Sequence, residues 1–180
     1  MNAMDADPKA GLEGERIASG LIPAAKVSGA DEADTELFLS MWTEANRYIA
    51  SLPWCSAVID SYFGGGVGGI FAVFLFHIRP GRAGIDSWIW IMVGDLPPAH
   101  LRLADCHSPA EAFEAYIRGM SKWVDLARKG KRGTARQGVP SVPLPATPEW
   151  ADRLNQRLDG LRLAIRPLFQ GKDEEISVED

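Results

Sequence analysis

The sequence predicts an α+β fold, in which helices pack on an antiparallel meander of three strands, or of four with a short edge strand near residues 99–103. Apolar residues recur at helical spacing in three segments, and three short segments rich in aromatic and β-branched residues lie between the first two. The strand connections are too short for a crossover helix, so neighbouring strands must be antiparallel. The predicted order of elements is α-β-β-β-α-α.

The first helix is predicted over residues 36–51, where apolar side chains repeat every three or four positions until Pro53 ends the pattern. The strands are predicted over residues 55–63, 70–78 and 87–93, because aromatic and branched side chains alternate along them or fill them completely.

The second helix carries sequence signals at both ends. Ser108 is the predicted N-cap, Glu111 completes a capping box, and Gly130 ends the helix. A loop is predicted over residues 130–146, and a last amphipathic helix follows it.

The two ends of the chain have a different composition from its centre. Residues 1–34 are acidic and contain no aromatic side chain, and residues 171–180 are also acidic. Such segments bury too little apolar surface to offset their ordering entropy, so both are predicted to be mostly disordered, with a short helix or strand near residues 17–27 that could still dock on the body as the alternative. A single α+β domain is therefore predicted over residues 35–170. Its mildly basic charge gives no strong electrostatic argument for nucleic-acid binding.

The cysteine content predicts a reducing environment. Cys55 and Cys106 are too few for a disulfide framework, and the chain does not open with a secretory hydrophobic region. We therefore expect a cytoplasmic protein.

The glycine-rich stretch FGGGVGGIFAVFLFHI, residues 63–78, contains a G-x-G-x-x-G pattern at Gly64, Gly66 and Gly69. A dinucleotide site needs a helix directly after this turn, but residues that favour a strand follow it. The apolar run is also shorter than the roughly 20 residues that span a bilayer. The stretch is predicted to be a hairpin connection, with no nucleotide or other cofactor and no membrane segment.

Both faces of the predicted sheet are apolar, so both must be covered. Leaving Phe74, Trp88 and Trp90 in water would cost roughly 1.5–3 kcal/mol for each side chain. Three helices cover one face and part of the other. The N-terminal segment, a second copy of the chain or another protein would cover the rest, and we predict a homodimer or a partner-protein interface.

The sequence has one concentration of metal-capable side chains, at His100, Asp105, Cys106 and His107. Their spacing fits no zinc pattern, so no metal site is predicted. No convincing serine–histidine–aspartate arrangement is visible, and no catalytic residue is assigned.

Cys106 is nevertheless a candidate nucleophile, because it lies near a helix N-terminus, where thiols are activated. The segment IMVGDLPPAHLRL, residues 91–103, places a double proline between the meander and this cysteine. This order of elements resembles the topology of ubiquitin-conjugating and RWD-type domains, and the resemblance implies the alternative hypothesis that the chain is a small enzyme. The resemblance covers topology only, since the tyrosine and the His-Pro-Asn triplet of those domains are missing.

Five basic residues lie within residues 128–136. The simplest interpretation is a solvated, flexible connection. The functional alternative is contact with an acidic partner, including nucleic acid or the chain's own acidic ends, and the absence of interleaved aromatic side chains that could stack on bases makes nucleic acid the less favoured of these.

The leading hypothesis is a non-enzymatic cytoplasmic protein that acts through protein–protein contact, as accessory, immunity or inhibitor proteins do. The expected binding residues are Trp88, Trp90, Asp95, His100, Arg132 and Arg136. The competing hypothesis is a small enzyme or ligand-binding domain with a pocket between the sheet and the last helices, near Asp95, His100 and Cys106.

Overall fold

A computed structural model describes residues 8–170 of the chain, which form four α-helices and one five-stranded sheet. The helices are α1 (Pro8–Ser19), α2 (Glu32–Ser51), α3 (Pro109–Ala127) and α4 (Pro148–Gln170). The strands are β1 (Ile22–Pro23), β2 (Cys55–Val67), β3 (Phe71–Pro80), β4 (Trp88–Gly94) and β5 (Ala99–Arg102). The disorder predicted for residues 1–7 and 171–180 falls outside the described residues.

The sheet has the order β1-β2-β3-β4-β5, and each neighbouring pair is antiparallel. The predicted α+β class and antiparallel sheet are confirmed, but the strand count and the order of elements match only roughly. The additional strand is β1, which pairs Ile22 with Phe63 and Pro23 with Tyr62. Two residues are too few to produce an alternating pattern, so sequence periodicity could not reveal this strand.

Residues 8–34 differ from the predicted disordered segment, because they form α1, β1 and the start of α2. Ile17 and Ala18 are buried in the same apolar cluster as Trp88. A Cβ atom at Gly14 would lie only 2.2 Å from Cγ of Trp88, so the missing side chain lets α1 approach the indole. The buried face of α1 is small, and overall composition therefore concealed it.

The two faces of the sheet are covered by helices of the same chain. On one face, α2 packs over side chains that include Phe74, Phe76 and Ile91. On the other, α1, α3 and α4 pack over side chains that include Leu75 and Trp90. The sequence argument for a homodimer was that the tryptophans would otherwise be exposed, and this coverage removes it. A homodimer therefore stays a prediction without that support.

The glycine-rich stretch forms a hairpin, but its turn is shorter than predicted. β2 continues to Val67, so Gly64 and Gly66 lie within the strand, and Ile70 belongs to the turn. The reason is close packing: a Cβ at Gly66 would lie 2.4 Å from the carbonyl oxygen of Phe71 on β3. The glycines thus allow two strands to meet rather than enclosing a phosphate group.

The helix boundaries follow their capping residues. α2 begins before the predicted start because Asp31 Oδ1 accepts a hydrogen bond from the Asp34 amide at 2.9 Å. Ser108 caps α3 as predicted, because its hydroxyl oxygen accepts a hydrogen bond from the Glu111 amide. A capping box would have Glu111 accept from the Ser108 amide in return, but Glu111 Oε2 accepts from the amide of His107 instead. Across residues 8–170, no helix combines the length and the apolar character needed to cross a membrane.

Candidate functional site

The structure places both tryptophans of the predicted binding surface inside the protein. Trp88 is 3% exposed and Trp90 is fully buried. The Trp90 Nε1–H donates to the carbonyl oxygen of Cys106 at 2.8 Å, and the Trp88 ring stacks on His77 with centroids 4.3 Å apart. The two indoles are therefore core residues, which corrects their assignment to a contact surface.

Cys106 is also buried and is chemically unsuited to nucleophilic attack. Burial raises the pKa of its thiol to about 11, and the carboxylates of Asp105 and Glu111 act in the same direction against the opposing effect of Arg118. A nucleophilic cysteine needs a lowered pKa and an accessible sulfur. The observed surroundings therefore disfavour the thiol chemistry implied by the resemblance to ubiquitin-conjugating domains.

We expect Cys106 to resist alkylation while the protein is folded. At pH 8, a thiol with a pKa of about 11 carries about a hundredfold less thiolate than one with the ordinary value of 9.0, and burial blocks access further. Iodoacetamide labelling followed by mass spectrometry should modify the half-buried Cys55 first, and both cysteines at similar rates in urea. Labelling of Cys106 as fast as a free thiol in the folded protein would restore the nucleophile hypothesis.

The metal-capable side chains around Cys106 do not converge. His100 contacts Tyr48, whereas His107 Nδ1 lies 3.7 Å from Glu13 Oε1 on α1. Within the part of the chain that the structure describes, no three histidine, cysteine or acidic side chains are placed to hold a metal ion.

β5 forms one edge of the sheet. It pairs only with β4, in an uninterrupted register from Ile89 opposite Arg102 to Met92 opposite Ala99. Every second residue of an edge strand directs its N–H and C=O groups away from the sheet. No backbone–backbone hydrogen bond from elsewhere in residues 8–170 reaches β5, so its outward N–H and C=O groups have no main-chain partner there.

The edge at β2 is different, because it carries features that discourage further pairing. Its register with β3 shifts at three places, as expected of β-bulges, and β1 covers Tyr62 and Phe63. β1 itself contains Pro23, which has no N–H to donate. β5 has neither bulge nor proline, so it is the edge better suited to accept a strand.

A groove of about 310 Å³ runs along β5, and we call it the β5 groove. All four residues of β5 line it, with one wall from α2, one from α3 and one from the loop after α3. The principal wall residues are Tyr48 of α2, Tyr116 and Gly119 of α3, and Ala135, Gly138 and Pro140 of the loop.

His100 and Tyr48 form a polar pair in the β5 groove, with Tyr48 Oη 3.0 Å from His100 Nδ1. The ring of Trp54 meets the His100 ring edge-on, with centroids 5.2 Å apart. Part of His100 reaches solvent, but desolvation by its neighbours lowers its pKa and favours the neutral imidazole. Burial raises the pKa of Tyr48 to about 12, so its hydroxyl stays protonated and donates to Nδ1 in the Nε2-protonated tautomer.

The loop that supplies one wall of the β5 groove also contains the predicted basic residues, which are not themselves part of the lining. Arg132 and Arg136 are exposed, and Arg136 directly follows Ala135, which lines the groove. Lys122 of α3 donates from Nζ to the Gln137 carbonyl oxygen at 3.4 Å. We call residues 128–136 the basic loop. The structure thus brings this loop and His100 to one groove.

Asp95 lies in a second groove, between the β4–β5 turn and α4, which shares no lining residue with the β5 groove. Its carboxylate oxygen Oδ1 accepts from Arg157 Nη1 at 3.3 Å. Asp95 therefore lies in one groove, His100 in the other and Cys106 in the core. The competing hypothesis placed these three residues around a single pocket, and the structure does not bring them together.

Sequence reasoning missed the helical residues of the β5 groove. Tyr48 and Tyr116 fit the apolar stripes of α2 and α3, so periodicity alone predicts that both belong to the core. The available signal was the polar tip of each tyrosine, since a buried phenol needs a hydrogen-bond partner. Tyr116 finds one in the carbonyl oxygen of Pro97 at 2.7 Å.

The comparisons with known proteins do not assign a function. No family model matches the chain, and searches of curated proteins and of solved structures find no significant match. The geometry of the two grooves is therefore the basis for a functional proposal.

Proposed function

We propose that this chain is a non-enzymatic binding protein that accepts an extended acidic segment of a partner protein as an additional strand on β5. The observation that carries the proposal is the unpaired, regular edge of β5 along the floor of the β5 groove. Strand addition obtains affinity from main-chain hydrogen bonds and specificity from pockets for alternate side chains.

The two sides of β5 offer different contacts to such a segment. Leu101 lies on the side of the sheet covered by α3, whereas His100 lies on the side covered by α2, next to Tyr48. Successive side chains of an added strand point to opposite faces. One set would pack near Tyr116, and the other would meet the polar pair of Tyr48 and His100.

Charge complementarity favours an acidic segment. The exposed guanidinium groups of Arg132 and Arg136 have no ion-pair partner among residues 8–170, whereas Arg102 at the end of β5 is held by Asp86 at 3.3 Å. Cationic rim residues accelerate association with an acidic partner and make it sensitive to salt.

The proposal is tested by selecting peptides and then mapping how they bind. Random dodecapeptides displayed on phage are selected against the full chain, and enriched peptides are measured by fluorescence polarisation. We expect acidic sequences that bind about tenfold more weakly after the double substitution Arg132→Glu and Arg136→Glu. Ala135→Trp, which fills the groove from an exposed position, should weaken binding similarly. Arg166→Glu, an exposed charge reversal on α4, is the matched control and should have no effect.

N-methylation of the selected peptide separates strand addition from other binding modes. Only alternate peptide amides face β5, so methylating one set should abolish binding while methylating the other should be tolerated. Equal effects of both sets, or unchanged binding to Ala135→Trp, would contradict the proposal. A dimer in light scattering that Ala135→Trp dissociates would instead identify a second copy of the chain as the occupant.

Location in the cytoplasm belongs to this proposal as well. Cys55 and Cys106 are both free thiols. This agrees with the reducing environment that the cysteine content predicts.

A further inference from the structure

The second groove lies between the β4–β5 turn and the first half of α4, and its volume is about 730 Å³. We call it the α4 groove. A volume in this range is typical of small-molecule sites. Its lining combines apolar side chains with two guanidinium groups, those of Arg153 and Arg157.

The turn that forms one wall is held by several hydrogen bonds. The Asp95 amide donates to the Ile70 carbonyl oxygen at 3.0 Å, and the Tyr116 hydroxyl donates to the Pro97 carbonyl oxygen at 2.7 Å. Gly94 has φ 137°, a conformation that other residues rarely adopt. This wall is therefore formed before any ligand arrives, which reduces the entropy cost of binding.

The two guanidinium groups are positioned by contacts that leave most of their donors unused. Arg157 Nη1 donates to the Asp95 carbonyl oxygen at 2.9 Å, and Arg153 donates to Glu149 through Nη2 at 3.2 Å. The Arg153 Cζ atom also lies 5.1 Å from the Trp150 ring centroid. An arginine has five N–H donors, and the remaining ones have no partner among the described residues.

The charges of the lining favour an anion. Asp95 is the only acidic side chain that lines the α4 groove, and it is already paired with Arg157 at 3.3 Å. Arg153 supplies the second positive charge of the lining, and its ion-pair partner Glu149, at 3.2 Å, lies outside the lining. The ion pairs are exposed, with about 60% of each arginine side chain accessible, so they are weak and a ligand carboxylate can compete with them.

The remaining lining is apolar and suits the body of a ligand. It is formed by Leu96, Pro97, Pro143, Leu144, Trp150 and Leu154. We propose that the α4 groove binds a carboxylate joined to an aromatic or branched apolar group, with the carboxylate on Arg153 and Arg157 and the apolar group against Trp150 and Leu154. The source is either a small organic acid or the C-terminal residue of a peptide, which share this chemistry.

The experiment uses 3-phenylpropionate and its uncharged amide as matched probes, titrated into the full chain and followed by ligand-observed NMR and calorimetry. We expect saturable binding of the acid at least about tenfold tighter than that of the amide, because charge-assisted hydrogen bonds are lost in the amide. Arg153→Gln and Arg157→Gln should each reduce the affinity for the acid by a similar factor. Arg166→Gln, on the same helix but outside the groove, should not change it.

Two further measurements distinguish the source of the carboxylate and check that the variants are folded. The peptide Ala-Ala-Phe with a free C-terminus is compared with its C-terminal amide, and tighter binding than 3-phenylpropionate identifies a peptide C-terminus as the source. Unfolding midpoints of all variants are measured, and Arg153→Gln is the decisive variant because its one ion pair is exposed. Equal binding of acid and amide, or unchanged affinity in folded Arg153→Gln, would overturn the inference. Neither result affects strand addition on β5, which uses different residues.

Discussion

Replacing Trp90 by alanine is expected to lower the free energy of unfolding by about 3–5 kcal/mol. Trp90 is fully buried on the inner strand β4, opposite Leu75 of β3 and Leu101 of β5. Truncation removes a large apolar side chain, leaves a cavity that a sheet cannot readily close, and removes the donor to the Cys106 carbonyl oxygen. Urea unfolding followed by circular dichroism should show a lower midpoint with an unchanged slope.

A conservative variant at this position keeps part of the packing and removes the hydrogen bond. Trp90→Phe keeps an aromatic ring but leaves the Cys106 carbonyl oxygen without its partner, so we expect a loss of about 1–3 kcal/mol. Trp150→Phe is the matched control, because Trp150 is half-buried and should cost less than about 1 kcal/mol. Equal losses for the two variants would show that Trp90 has no special role in the core.

Replacing Gly94 by alanine is expected to cost at least about 2 kcal/mol, because two independent effects act against a side chain there. Its φ of 137° is unfavourable for any other residue, and a Cβ atom would lie 2.3 Å from the carbonyl oxygen of Ile70. The clash is with backbone, so relief requires the end of β4 to move away from Ile70 and the start of β3. Thermal unfolding should show the loss of stability, and binding of 3-phenylpropionate should weaken because the turn forms a wall of the α4 groove.

Gly84 provides the control for Gly94. It also has a positive φ, 79°, but no atom lies within 4 Å of where its Cβ would be. Gly84→Ala should therefore report the cost of the backbone conformation alone, about 1 kcal/mol. If Gly94→Ala were no more destabilising than Gly84→Ala, the turn would be more mobile than its hydrogen bonds to Ile70 and Tyr116 indicate.

The strands of the meander could be predicted from sequence because their signals are local. β4 combines aromatic and branched side chains over seven residues, and β3 does so over ten. Short connections then leave only antiparallel pairing. The α1 helix could not be predicted over its full length because its buried face is limited to a few residues, such as Ile17 and Ala18, and to the close approach of Gly14 to Trp88, which no periodic pattern records.

The candidate site was predictable only in part. His100, Arg132 and Arg136 could be selected as polar or basic residues in segments without regular apolar patterning. The structure places His100 in the β5 groove, whereas Arg132 and Arg136 are exposed on the loop whose Ala135 lines that groove. The sequence predicts Trp88 and Trp90 at an interface because large exposed aromatic side chains mark interfaces. Their burial could be recognised only once α1 and α3 were seen to cover them.

By itself, the sequence determined the type of each major helix and strand, the antiparallel arrangement of the sheet and the need to shield both of its faces, because these follow from residue periodicity, end caps and connection length. Only the tertiary structure decided what shields those faces and which edge of the sheet stays open. These outcomes depend on contacts between distant positions, such as Tyr48 with His100, 52 residues apart, and Arg157 with Asp95, 62 residues apart. Local patterns contain no information about such pairs, since each partner alone is compatible with many surroundings.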